Sequence, residues 1–361
     1  MLQPYPTNQC LTDKYSLTNP SIPISDEKYL IVCSGVILRP NNYNKSIEMR
    51  SIITLVFITF FSITLAFSQS SERKFVSINN KQMSYITFGL EARKANEPVF
   101  VFESGLGSGG GSYGSLFPFV QNKFAGLVYD RNGIGESEID TSVKTDADVV
   151  KRLHDLLKTL KISPPYLLVG HSIGGPFIRL YASIYPNEIC GLFFIDPTDF
   201  LLTKEEDNKV KINTLSSTGY QELLMIYFKN IINDTSTSDG FRNEAKRELN
   251  ESSPIFFKNY SSLQPLQDIP ITVMIAYYKH IEHYETEMNE NLKLGINLIP
   301  WWKELDELRI KHYAEMIKNN RDSRIILLPR YSHGIHQQDP KLVAEALIDT
   351  YENCITALKN K

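Results

Sequence analysis

Apolar and polar positions alternate along this chain in two distinct textures. Short, mostly apolar runs (Pro98 to Phe102, Gly126 to Tyr129, Tyr166 to Val169, Cys190 to Ile195, Ile271 to Ala276 and Arg324 to Leu328) read as strands, the first two as buried ones. Between them lie longer segments with helical spacing. From Asp146 to Ile162 the apolar residues are Val149, Val150, Leu153, Leu156, Leu157 and Leu160, one stripe of an amphipathic helix. Further helices are predicted over Phe177 to Tyr185, Trp301 to Lys318 and Lys341 to Leu358. Ahead of them, Lys74 to Leu90 alternates residue by residue around a turn at Asn79-Asn80, which predicts a hairpin. Strands without a polar face, alternating with helices, predict an α/β fold: a mostly parallel sheet covered on both faces.

The rhythm breaks over about residues 198–268, a charged stretch rich in Ser, Thr and Asn, with amphipathic pieces at Tyr220 to Ile232 and Phe241 to Leu249. This stretch predicts a helical cap inserted after the strand ending at Ile195. The amino-terminal region has a third texture. Met49-Arg50 precedes an apolar run from Ile52 to Phe67 with small residues at Ala66 and Ser68, the layout of a secretory signal peptide at 49–68. The run is shorter than the ~20 residues that span a bilayer comfortably, yet no charge interrupts 51–71, so retention as a membrane anchor is the alternative. Residues 1–48 carry five prolines and no periodicity, and read as a disordered or non-native upstream extension. The expectation is a secreted or extracytoplasmic domain over 69–361.

Composition narrows the function classes. The chain has 361 residues, 22% charged, with a net charge of −3; no basic stripe or finger spacing suggests nucleic acid. Four cysteines (Cys10, Cys33, Cys190, Cys354) show no CxxC spacing, so no zinc site is implied and buried packing is the simpler role. Asn233-Asp-Thr235, Asn250-Glu-Ser252 and Asn259-Tyr-Ser261 are glycosylation triplets that matter only in an exported eukaryotic protein.

The chemistry is concentrated in four places. Gly170-His171-Ser172-Ile173-Gly174 lies between a strand and a helix, the setting of a nucleophile elbow. Glycines flank the serine because the turn is sharp, and the turn places the Ile173 N–H at a helix N-terminus, where negative charge is stabilised. A serine hydroxyl needs a base, and the base needs a carboxylate to hold its tautomer. Of the downstream histidines His280, His283, His312, His333 and His336, only the last two lie in a loop between the final strand and the final helix. His333, nearer the strand end, is the expected base, and His336 a structural hydrogen-bonder. Asp196, directly after an apolar strand, is the expected acid; Glu282 and Glu285, after the following strand, are the alternatives, although both read as part of a solvated helix. Asp199 reads as a helix N-cap.

The third place is the loop Ser104-Gly-Leu-Gly-Ser-Gly-Gly-Gly111, whose Leu106 N–H is the expected second oxyanion donor beside Ile173. No Lys-Ser/Thr follows, which removes a P-loop. A dinucleotide fingerprint is disfavoured because Gly111, Gly114 and Pro118 spoil the helix it needs. The fourth, Tyr129 to Ser137, holds an Asp-Arg pair beside Gly133-Ile-Gly135 and reads as scaffolding under the site.

Together these residues resemble the α/β-hydrolase superfamily. The matches are the glycine loop at 104–107, Tyr-Asp-Arg-x-Gly-x-Gly-x-Ser at 129–137, Gly-His-Ser-x-Gly-Gly at 170–175 and Ser-His…Asp-Pro at 332–340. The resemblance implies an eight-stranded, mostly parallel sheet with helices on both faces, a helical cap, no cofactor or metal, and a Ser172–His333–acid triad. Two departures stand out. The glycine loop begins Glu103-Ser104 rather than His-Gly. No aspartate follows the seventh strand, which moves the acid to Asp196, as in members that keep it after the sixth. Serine at the elbow, where epoxide hydrolases and dehalogenases carry aspartate, points to acyl chemistry on a small-molecule ester. Acyltransferase, lyase or peptidase activity and a catalytically silent binding protein are the alternatives.

Overall fold

Eight strands form one sheet in the order β1-β2-β4-β3-β5-β6-β7-β8. They are β1 (Lys74–Ile78), β2 (Lys81–Phe88), β3 (Val99–Glu103), β4 (Ala125–Tyr129), β5 (Tyr166–His171), β6 (Ile189–Ile195), β7 (Ile271–Tyr277) and β8 (Arg324–Pro329). The β1–β2 and β2–β4 pairs are antiparallel and every other pair is parallel. The computed structural model describes residues 72–251, 257, 260 and 262–360. The upstream extension, the signal-like segment, Cys10, Cys33 and the triplets that include Ser252, Asn259 and Ser261 lie outside them. Among the described residues, no helix is long and apolar enough to cross a membrane.

The wholly apolar runs are the strands sealed on both faces: every residue of β3, β4 and β6 is buried. Alternate side chains feed two cores. Val99, Val101, Leu127 and Leu168 face one; Phe100, Phe102, Val128, Leu167 and Val169 face the other. On the first side lie α1 (Asp146–Thr159) and α2 (Gly174–Ile184). On the second lies α8 (Pro340–Lys359). Helix α1 begins where it does because Thr145 and Asp148 form a reciprocal capping box that satisfies two otherwise unpaired N–H groups.

Between β6 and β7 the chain forms α3 (Lys204–Asn213), α4 (Tyr220–Asn233) and α5 (Asp239–Glu251). After β7 come α6 (His283–Asn291) and α7 (Leu298–Ile317). A separate small core of Leu202, Val210, Leu223, Leu294, Ile296, Trp301 and Leu305 joins these two excursions.

Candidate active site

The site forms at the carboxyl ends of β3, β5, β6 and β8, and the elbow shows why. Ser172 immediately follows β5 with φ of 55°, a left-handed conformation that a non-glycine residue adopts only when its surroundings enforce it. Here the Ser172 N–H donates to the Ile195 carbonyl (3.1 Å), and the Ser172 carbonyl accepts from Gly175 and Thr198 N–H (3.0 Å each). The flanking glycines are required by contact. A Cβ on Gly170 would lie 2.5 Å from the Gly174 carbonyl oxygen, and one on Gly174 would lie 2.3 Å from that of Glu103. Ile173 is the N-cap residue of α2.

Asp196, one residue past β6, also has a positive φ, 40°. Its Oδ2 accepts from His333 Nδ1 at 2.6 Å, and its Oδ1 accepts from the Ala276 N–H at 2.9 Å. Arg309, on α7, places its guanidinium 3.0 Å from Oδ1 and also donates to the carbonyls of Ala276 and Pro197 and to Asp306 Oδ1. Burial alone would push the Asp196 carboxyl up. The Arg309 charge, the His333 ring and the Ala276 N–H outweigh it and hold Asp196 far below the ordinary carboxylate range. The carboxylate is sealed (3% exposed) whereas the His333 side chain is 39% exposed, so the imidazole is the half of the pair open to an incoming molecule. With Nδ1 committed to Asp196, Nε2 is the ring nitrogen left free to face an incoming group.

His333 lies against the elbow. His171, the residue before Ser172, donates from Nε2 to the His333 carbonyl (3.0 Å), and the two rings are 4.7 Å apart. Burial, then the neighbouring His333 and His336, hold His171 well below the usual histidine range, so it is neutral and its proton lies on Nε2. No hydrogen bond joins the Ser172 hydroxyl to His333 among the described residues; such bonds are commonly long before substrate binds and tighten in the complex.

The glycine loop reaches the same place. A Cβ on Gly105 would come 2.9 Å from His171 Nδ1 and 3.4 Å from Ser172 Cβ, so only a bare backbone fits against the elbow. Arg131 fixes the loop from beneath. It donates to the carbonyls of Ser104 (2.5 Å) and Gly105 (2.6 Å), and pairs with Glu103 and Glu244 at 2.8 Å each. Asp130 accepts from the N–H of Gly110 and of Glu136. The Asp-Arg pair therefore is scaffolding, as its sequence context suggests. Glu103 has a structural use of its own, buried against Tyr129 and Arg131.

Other residues lie elsewhere or act differently. Glu282 and Glu285 form the capping box of α6; Glu285 is buried rather than solvated and pairs with Lys279 at 2.5 Å, so neither bonds His333. Asp199 caps no helix: it accepts from Leu201 N–H in a local turn and from His312 Nδ1 at 2.8 Å. His336, the expected structural hydrogen-bonder, is fully buried, its ring tilted against Tyr113 (4.9 Å) and edge-on to His171 (4.6 Å). Arg309, His171 and Glu244 are the residues that sequence reasoning missed. Arg309 carried only an i,i+3 spacing to Asp306, which ordinarily marks an exposed pair. Among the described residues, no group of His, Cys, Asp and Glu is arranged to hold a metal ion.

Comparison with known proteins agrees with the fold. A family model described as alpha/beta hydrolase fold matches residues 98–220. The uncharacterized protein YqjL of Bacillus subtilis is 35% identical over 111 residues, which are 30% of this chain and 44% of that protein. The match thus spans less than half the length of that relative. Monoacylglycerol lipase ABHD6 of Bos taurus is 22% identical over 275 residues, 73% of this chain and 77% of the lipase. In three dimensions, a thermophilic esterase from Thermogutta terrifontis aligns with a TM-score of 0.50 at 13% identity, over 78% of this chain and 99% of the esterase.

Proposed function

This chain belongs to the α/β-hydrolase superfamily, and on that premise we propose that it is a serine hydrolase cleaving a carboxylic ester of a small molecule through an acyl-enzyme on Ser172. The observation that carries the reading is the 2.6 Å bond from His333 Nδ1 to the buried Asp196, formed beside an elbow serine held at a left-handed φ. In the proposed reaction, His333 Nε2 takes the Ser172 proton as Oγ attacks the ester carbonyl. The Leu106 and Ile173 N–H groups stabilise the tetrahedral oxyanion. His333 then passes that proton to the leaving alkoxide, which departs as the alcohol. In the second half, His333 takes a proton from water, hydroxide attacks the acyl carbon, and the proton returns to Ser172 as the acid is released.

Asp196 stays ionised throughout and stabilises the imidazolium. Its low affinity for protons suits that task, because a carboxyl that remained protonated could not hold the ring's tautomer. The lipase name of a similar protein supports an ester over an amide as substrate. The test is hydrolysis of p-nitrophenyl esters by the wild type and Ser172→Ala. The expected loss is on the order of a million-fold, as where comparable triads were dissected. Turnover that survives the substitution would exclude this site.

A further inference from the structure

Helix α5 carries an unusual buried stripe. Its inward face is Gly240, Glu244, Ala245, Arg247 and Glu248, so three of five buried residues are ionisable where a cap helix would ordinarily bury aliphatic groups. Gly240 and Phe241 explain how closely the helix sits on the loops of the sheet. A Cβ on Gly240 would fall 1.5 Å from the Gly133 carbonyl oxygen, and the Phe241 ring lies where a Cβ on Gly107 would need to go, 2.9 Å away.

Glu244 is the pivot of this contact. Its Oε2 accepts the Gly107 N–H at 2.6 Å, and its Oε1 accepts Arg131 Nε at 2.8 Å. Arg131 in turn holds the Ser104 and Gly105 carbonyls. One carboxylate from the cap thereby fixes the backbone on both sides of Leu106. The pairing extends on through Arg247, 3.6 Å from Glu244 and 2.6 Å from Glu248, to Asp146 on α1, which also accepts from Tyr260. Burial would push Glu244 up, but the two guanidiniums hold it below its ordinary range, so it is an anion locked between cations. Both of its hydrogen-bonding partners are donors. Only a carboxylate can satisfy them together; an amide must turn its NH2 toward one.

We propose that Glu244 is a positioning residue through which docking of α5 sets the oxyanion donor at Leu106, so that the cap and not the sheet alone assembles the site. The inference rests on the Ser172 reading. The sheet supplies nucleophile, base and acid from β5, β6 and the loop after β8, whereas the glycine loop borrows part of its rigidity from a different layer. A cap shifted off the loop leaves Ser172, His333 and Asp196 in place and removes the charge stabilisation on which the chemical step depends.

The experiment compares wild type, Ser172→Ala, Glu244→Gln and Phe241→Ala on p-nitrophenyl acetate, with kcat expressed per active site titrated by the burst of p-nitrophenol. Affinity for a trifluoromethyl ketone, which forms a tetrahedral adduct on the serine, is measured alongside. Glu244→Gln is expected to lower kcat by about 10- to 100-fold, short of the loss of a whole oxyanion donor, with KM within about 3-fold and ketone affinity falling in parallel. Phe241→Ala, which alters no charge, moves kcat in the same direction by less. A merely structural Glu244 lowers the titrated fraction and leaves kcat per site intact, which would overturn the coupling alone. Turnover that persists in Ser172→Ala would overturn the site and the coupling with it.

Discussion

Asp196 shows what one residue's position discloses and what it withholds. Its place after an apolar strand, with no aspartate after the next one, makes it the expected partner of His333 over Glu282 and Glu285, and its carboxylate does meet His333 Nδ1, because a strand's carboxyl end has a fixed location in a parallel sheet. What holds it ionised was not legible. Arg309 arrives from a helix more than 100 residues downstream, and sequence spacing carries no information about that approach. The pairing predicts a pH effect with a definite sign. Arg309→Met removes the first of the influences that depress Asp196, so the carboxyl takes up a proton more readily. The Asp196 carboxyl carbon, followed by NMR, is expected to titrate at a higher pH than in the wild type, whereas an unchanged titration would show that Arg309 serves only packing.

At the level of elements, the central strands and the long helices were readable because those strands are buried along their length and the helices have unambiguous apolar spacing. Helix α3 was not, and α6 was legible only as a solvated helix around Glu282 and Glu285. Lys204–Asn213 and His283–Asn291 bury just two residues and one residue respectively, and depend on capping boxes for their starts. The elbow is the best-specified local structure, and its glycines are not equivalent to others nearby. Gly174→Ala drives a methyl group to 2.3 Å from the Glu103 carbonyl oxygen, at the end of the strand that launches the glycine loop. We expect a stability loss of about 1–3 kcal/mol, the range for overpacking a tight contact, together with reduced kcat. Gly111, with nothing within 4 Å of its Cβ position, tolerates alanine in both respects. Denaturant titration and ester turnover of the two variants check the contrast; equal behaviour would contradict it.

The whole molecule gathers three histidines, His171, His333 and His336, into one cluster around the residue that precedes Ser172. Burial, then the neighbouring His333, pushes His336 down to about 4, with a main-chain group at Ser112 opposing the shift only in part. The fold therefore prefers the neutral ring. Its contribution is fully present above the unfolded value near 6.5 and is lost as pH falls through about 4. Between pH 7 and 4.5 this histidine is expected to remove about 2–3 kcal/mol of stability. In His336→Gln, urea unfolding should show that much less acid sensitivity, and an unchanged pH slope would place the proton uptake elsewhere.

The central claim is that Ser172 is the group His333 activates. Mass spectrometry after reaction with a fluorophosphonate tests it most directly. One adduct per chain is expected, on the peptide that contains Ser172, absent from Ser172→Ala and much slowed in His333→Ala. An adduct on any other serine, or none on a folded protein that hydrolyses esters, would contradict it.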